Sequence, residues 1–211
     1  MSSSPFNPAV LLLSAGNSLR FEGIKVLAEL GGTSILKAAI DKLPHIPLHV
    51  ATGQYHDEIE AHLSNEVTNR PYSLIKCPRA HLGIGFTISD AVTYMSANLP
   101  SYSHLFIVLA DQVALTREEL ELILKQSQQH LENIVCAEFD GQPSAPAIFP
   151  STFFSDLISL SGDQGAKKLL IKNINNAKAI AIDNARIDID TRDQLSVWQN
   201  KQLNMTQSET T

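Results

Sequence analysis

The chain has 211 residues, 44% of them apolar, and a formal net charge of −6. That length suits one domain with a full hydrophobic core, and the acidity argues against broad binding to nucleic acid or an anionic membrane while allowing a local cationic pocket. Its apolar runs fall far short of the ~20 residues that span a bilayer, and Cys77 and Cys136 are too few and too far apart for a zinc site. Residues 1–8 show neither the basic nor the long apolar region of a secretory signal. The expectation is a cytoplasmic protein with two reduced thiols and no nucleic-acid or membrane partner.

Residues 9–13 form a continuous apolar run, as in a parallel strand covered on both faces. Directly after it comes Leu13-Ser14-Ala15-Gly16-Asn17-Ser18-Leu19-Arg20-Phe21-Glu22-Gly23-Ile24-Lys25. A small flexible loop carrying two cations behind a buried strand suits a polyphosphate. Successive backbone N–H groups of the loop can point inward at phosphate oxygens, and Arg20 and Lys25 can neutralise the charge. Gly16 suits a tight backbone that a ligand can approach. Neither G-x-x-x-x-G-K-[ST] nor G-x-G-x-x-G occurs in this stretch.

Further along, helical periodicity covers 34–43, 56–63, 87–99 and 116–131, and strand patterns cover 48–51, 73–76, 105–109 and 134–139. Thr116 with Glu119 reads as a capping box, and so does Thr191 with Gln194 before a terminal helix over 192–200. The series predicts an α/β domain over 9–200, a mostly parallel sheet with helices on both faces. Residues 1–8 and 201–211 read as polar, mobile tails. Ligands of such sheets bind beyond the carboxyl ends of the strands, so the Gly16 loop and Asp111, which ends the 105–109 strand, are expected to face one cleft.

Several stretches carry candidate chemistry. Gly83-Ile84-Gly85-Phe86-Thr87 leads into a helix, and a helix N-terminus with two glycines can hold an anion or a base edge; a plain flexible helix entry is the alternative. Asp111 at a strand terminus is well placed for Mg²⁺, which prefers one or two carboxylates plus phosphate oxygens and water; an Asx turn is the alternative. Residues 139–150, with Pro143, Pro146 and Pro150, read as an ordered loop with little freedom. Alternation puts Asp188 and Asp190 on one face, where two like charges want a cation; capping of the terminal helix is the alternative. The histidines show no metal-ligand spacing: His56 and His62 read as surface groups, and His81 lies beside the Gly83 loop. Cys77 and Cys136 read as small buried apolar groups.

The loop resembles the L-A-A-G-x-S-x-R-[MF]-G-x-x-K signature of MobA-like NTP transferases, closest to those acting on molybdenum cofactor. Leu13, Ala15, Gly16, Ser18, Arg20, Phe21 and Lys25 match, while Glu22 stands at the family's Gly. Leu109 to Gln112 resemble L-A-D-Q-P, with Val113 for Pro, and Asp188 to Leu195 resemble D-I-D-T-P-E-D-L, with Arg192 for Pro. Residues 139–149 resemble Y-x-G-Q-x-G-H-P-V-L-F, keeping Gly141, Gln142, Pro146 and Phe149 but with Ala145 for His. Residues 160–170 resemble L-x-G-D-x-G-A-R-x-L-L, with Lys167 for Arg. The likeness spans 9 to 198.

The resemblance implies a Rossmann-like fold of the GT-A nucleotidyltransferase type that transfers a nucleotide from an NTP and releases pyrophosphate. It implies nucleotide contacts from Ser14, Ala15, Gly16, Asn17, Ser18, Arg20, Lys25, Gly83 and Thr87, and catalysis by Lys25, Arg20 and Asp111. Mg²⁺ falls to Asp111 and Asp190, with Asp188 weaker, and an acceptor edge to Gln142, Gly165 and Lys167. Asp163 reads as a cap for the helix that follows. Ala15 leans toward CTP. Molybdopterin, or another small phosphorylated acceptor, is the implied second substrate, with a molybdoenzyme as a possible partner. A sugar-phosphate nucleotidyltransferase and a non-catalytic carrier of nucleotide or cofactor stay open as alternatives.

Overall fold

A computed structural model of the chain describes residues 6–18, 20–66, 68 and 70–208. The elements run β1 (Pro8–Leu13), β2 (Glu29–Leu30), β3 (Thr33–Ser34), α1 (Ile35–Lys42), β4 (Leu48–Thr52), α2 (His56–Asn65), β5 (Ser73–Lys76), α3 (Ile84–Asn98) and β6 (His104–Leu109). They continue with α4 (Arg117–Gln129), β7 (Ile134–Phe139), β8 (Gln142–Pro150), α5 (Phe154–Ile158), α6 (Lys167–Lys172), β9 (Ala177–Ala181) and α7 (Arg192–Ser208). The main sheet has the order β5-β4-β1-β6-β8-β7-β9. β1 pairs in parallel with β4 and β6. β8 runs antiparallel to its neighbours β6 and β7.

Every residue of β1 is buried. Because successive side chains point to opposite faces, Ala9, Leu11 and Leu13 enter one core with Ile88, Val92 and Leu157, from α3 and α5. Val10 and Leu12 enter the other, with Leu36, Ile59 and Ile123 from α1, α2 and α4. A strand apolar on both faces is thus accounted for by helices on both sides. Ser34 caps α1 through Lys37 N–H, and Thr116 and Glu119 form the expected capping box on α4. Thr191 and Gln194 form the second, with Thr191 N–H donating to Gln194 Oε1 at 2.9 Å and Gln194 N–H to Thr191 Oγ1 at 3.2 Å.

The structure departs from the sequence reading at several elements. Residues 142–150 are a nine-residue strand, β8, not a loop. Two of its three prolines sit where a ladder tolerates them: Pro146 lies in the irregularity where the register jumps between Cys136↔Ala147 and Ala137↔Ser144, and Pro150 ends the strand, while Pro143 stands in register with Glu138. β9, Ala-Lys-Ala-Ile-Ala, escaped notice because alanine and lysine are weak strand formers. α3 begins at Ile84, three residues early, on Gly83 in a left-handed conformation (φ +122°). At the ends, β1 starts at Pro8, one residue early, and α7 runs to Ser208, beyond the helix end expected at 200; residues 1–5 and 209–211 lie outside the described residues. Among the described residues, no helix is long and apolar enough to cross a membrane.

Both cysteines are buried, and burial is the main influence pushing the Cys77 thiol up to about 12 and that of Cys136 to about 11, so neither is a nucleophile at neutral pH. Two histidines not singled out in the sequence, His49 and His104, are also buried. His49 bonds Ser73 Oγ (2.6 Å) and Tyr102 Oη (3.0 Å), and His104 donates from Nε2 to the Leu131 carbonyl (3.0 Å). Burial lowers the pKa of both. Their folded values lie below the unfolded value of about 6.5, so this contribution is complete above that value and is lost as pH falls through the lowered folded values. The melting temperature should therefore fall from about pH 7.5 to about pH 5.5, and fall less in His49→Gln. A flat profile in the parent protein would contradict this.

Candidate active site

The site lies beyond the carboxyl ends of β1 and β6. β1 leads into residues 14–25, and β6 into Asp111. The Ile189 N–H donates to the Asp111 carbonyl at 3.1 Å, which docks the 188–191 segment beside the exit of β6. Beneath these segments is a small apolar cluster of Phe21, Ile35, Val113, Ile189 and Leu195. Three segments far apart in sequence are therefore anchored on one shared core.

Lys25 opens the short 3₁₀ turn Lys25–Leu27 and is only 8% exposed. Its Nζ lies 2.6 Å from Asp111 Oδ2 and 3.1 Å from Asp190 Oδ1. Arg20 reaches the other oxygen of Asp190, Nη2 to Oδ2, at 2.9 Å. Burial is the largest single influence on Lys25 and lowers its pKa; the charges and hydrogen bonds of Asp111 and Asp190 outweigh it, so the net shift is upward and the ammonium stays charged. Asp188 is nearby: burial first, then the Asp111 and Asp190 charges, raise its pKa.

The loop between these cations is tightly wound. Ser18 and Glu22 take left-handed backbone conformations (φ +52° and +55°), and Gly23 follows at φ +144°. The Lys25 N–H donates to Ser18 Oγ at 3.1 Å, so Ser18 shapes the turn. Arg192, at the start of α7, donates from Nε to the Phe21 carbonyl (3.1 Å) and from Nη2 to the Glu22 carbonyl (2.8 Å). Its guanidinium carbon lies 5.4 Å from the centre of the Phe21 ring.

Beside the cations is a cleft of about 260 Å³. Ala15, Gly16, Asn17, Gly83, Thr87 and Asp111, all expected at a ligand site, line it. Asn17 Oδ1 is buried with no hydrogen-bond partner among the described residues. Ser14 is turned away: its N–H and its hydroxyl both donate to the Ala51 carbonyl, at 2.9 and 2.8 Å, so its expected donation to phosphate is not available in this conformation. The Thr87 hydroxyl donates back to the Gly83 carbonyl (3.4 Å).

The residues expected on the acceptor side are not among those lining this cleft. Gln142 opens β8 and is exposed, and Lys167 opens α6 and is exposed. Gly165 is buried against Ile84, where an added Cβ would come within 2.9 Å of Ile84 Cγ2. Asp163 is not a helix cap, because α6 starts on Ala166 without a side-chain cap. It lines the cleft instead, so close to Gly83 that a Cβ there would sit 2.5 Å from Asp163 Oδ1. The Gly85 N–H donates to the Gly162 carbonyl (2.8 Å) and brings that loop in. The sequence signal was the Gly83–Gly85 pair, whose missing side chains make room for another backbone. Of the histidines considered, His56 bonds Thr52 Oγ1 (2.6 Å), His62 pairs with Glu66 (3.3 Å), and His81 is exposed, its Nδ1 3.1 Å from the Pro78 carbonyl.

A mostly parallel α/β sheet with a glycine-containing loop, paired cations and convergent carboxylates at its carboxyl edge is a nucleotide-binding domain of nucleotidyltransferase type. Residues 10–177 match the MobA-like NTP transferase domain, and the chain belongs to that family. It is 29% identical over 201 residues to the purine catabolism protein PucB of Bacillus subtilis, covering 87% of this chain and 92% of that protein. Its fold is similar to that of Rv0371c from Mycobacterium tuberculosis (TM-score 0.75, 19% identity, 94% of this chain and 100% of that one). The same mycobacterial protein in complex with manganese aligns with a TM-score of 0.64 at 18% identity, over 83% of this chain and 88% of that one. A nucleotidyl transferase from Methanothermobacter thermautotroptrophicus has a TM-score of 0.74 at 13% identity, over 94% of this chain and 99% of that one.

Proposed function

We propose that the chain transfers a nucleotide from an NTP, CTP by preference, to a phosphorylated acceptor, with release of pyrophosphate. The observation that carries this reading is the Lys25 ammonium held between Asp190 and Asp111, the latter a lining residue of the cleft. Both carboxylates reach one cation, so their oxygens already converge on a point of positive charge. Among the described residues no group of three or more His, Cys, Asp or Glu is arranged to hold a metal ion. Two carboxylates fit Mg²⁺, which takes its remaining ligands from phosphate and water. Asp111 and Asp190 would hold it, and when bound it supplies charge neutralisation on the phosphates. The manganese complex of the mycobacterial relative is consistent with a divalent ion in this fold.

The chain's own residues do the rest. The backbone of residues 15–18 and the Gly83 helix entry, with Thr87, bracket the nucleotide. Arg20 and Lys25 face the phosphates; an acceptor oxygen attacks the α-phosphorus, its new P–O bond replacing the bond to the leaving pyrophosphate. Positioning and electrostatics suffice, and no covalent enzyme intermediate is needed. Ala15, 7% exposed and packed against Gly53, supports CTP by its likeness to cytidylyl-transferring relatives. Gln142, Gly165 and Lys167 belong to the acceptor side, where molybdopterin is the leading candidate and a molybdoenzyme the candidate recipient, in the cytoplasm.

Incubation with each NTP, Mg²⁺ and molybdopterin, followed by pyrophosphate assay, tests this. Release is expected only when nucleotide, metal and acceptor are all present, and fastest with CTP. Nucleotide binding without release from any NTP would overturn transfer in favour of a carrier role.

A further inference from the structure

Two departures from the family's sequence pattern meet in space. Glu22 occupies the family's Gly position and Arg192 its Pro position, 170 residues apart in the chain. The Glu22 carbonyl accepts from Arg192 Nη2 at 2.8 Å, and Arg192 Nε lies 3.1 Å from the Phe21 carbonyl and 3.3 Å from that of Glu22. A proline at 192 has no side-chain donor and makes none of these bonds. Gly23 is fitted to the same group, since a Cβ there would sit 3.1 Å from Arg192 Nη2.

The turn so held is an unfavourable one. Left-handed backbone at non-glycine residues such as Ser18 and Glu22 persists only where the surroundings over-determine it. Arg192 supplies that constraint from the 188–192 segment, which also provides Asp190 to Arg20 and Lys25. One segment therefore grips the loop twice, by backbone carbonyls through Arg192 and by side-chain cations through Asp190. We infer that Arg192 is a positioning residue: its guanidinium, forked onto the Phe21 and Glu22 carbonyls and laid against the Phe21 ring, fixes the turn that delivers Lys25 between Asp111 and Asp190. Arginine's planar fork matters here, because a lysine ammonium offers neither the fork nor the planar stack.

The inference rests on the proposed transfer reaction for its kinetic arm only. Arg192→Ala, Arg192→Gln and Arg192→Lys are compared with the parent for pyrophosphate release, and for the rate at which trypsin, without substrate, cuts after Arg20. Arg192 is exposed, so melting temperatures should stay within about 3 °C of the parent. In Arg192→Ala and Arg192→Gln, kcat should fall about 100-fold, with the KM for nucleotide changing less than about threefold because the bonds of Arg192 fall on Phe21 and Glu22, downstream of residues 15–17. Arg192→Lys should recover part of kcat, and cleavage after Arg20 should be faster in Ala and Gln than in the parent. Equal kcat and equal cleavage in all four proteins would overturn the role of Arg192. A parent protein that releases no pyrophosphate would instead count against the transfer reaction, and the cleavage rates would still decide whether Arg192 holds the loop.

Discussion

Lys25→Ala should lower kcat by about 1,000-fold, the upper end of what one preorganised charge contributes to a transfer step. The ammonium is nearly buried, permanently charged, and fixed within 2.6 Å of Asp111 and 3.1 Å of Asp190. Among the described residues no other cation has that position: Arg20 pairs with Asp190, from the solvent side, with 75% of its side chain exposed. The variant should still fold. Removing one partner of a fully buried ion pair costs about 3–5 kcal/mol, but the side chains of Asp111 and Asp190 are 23% and 31% exposed, and water offsets part of the loss. Lys25→Arg should not restore turnover, because a planar fork does not reproduce a point charge between two carboxylates. The checks are kcat for pyrophosphate release and thermal melting, the latter with and without Mg²⁺. In the proposed mechanism Asp111 and Asp190 would hold the metal and Lys25 would compete for them, so Mg²⁺ should raise the melting temperature more in Lys25→Ala than in the parent. Normal turnover in Lys25→Ala would remove it from the proposed mechanism.

Asp111→Asn is the second large effect. The Asp111 backbone carbonyl accepts from Ile189 and Val113 N–H, at 3.1 and 2.9 Å, and asparagine keeps both bonds. The substitution therefore removes the charge paired with Lys25 while keeping these backbone contacts. Expected are a loss of about 100-fold or more in kcat and a shift of the Mg²⁺ activation curve to higher concentration. Asp188→Asn is the informative companion. Burial, and then the charges of Asp111 and Asp190, raise the Asp188 pKa, and the ion pairs of Lys25 and Arg20 go to Asp111 and Asp190 instead, so its loss should cost less than about tenfold. An Asp188→Asn defect as deep as that of Asp111→Asn would move the second ligand from Asp190 to Asp188.

Much of this was legible in the chain because its physics is local. The unbroken apolar run of β1, the alternating faces of its residues and both capping boxes depend on near neighbours. The convergence of the Gly16 loop with Asp111 follows from a rule about strand ends, and both border one cleft. What escaped notice depends on distant partners. β8 reads as a loop until β6 and β7 are placed on either side of it, because its prolines argue against a strand in isolation. Ser14 resembles a phosphate donor until Ala51 captures its N–H and hydroxyl. Asp163 resembles a cap until Gly83 makes room for it at the cleft, and Arg192 resembles a chance replacement until Glu22 and Phe21 lie beneath it.

In the proposed site Asp111 and Asp190, which share the Lys25 ammonium, would hold a divalent ion beside the nucleotide phosphates. Binding of Mn²⁺ to the full chain, followed by electron paramagnetic resonance with and without CTP, reads that site directly. The predicted result is a bound ion with phosphorus coupling from the nucleotide, weakened in both Asp111→Asn and Asp190→Asn. An ion bound equally well by both variants, or one that shows no phosphorus coupling, would contradict it.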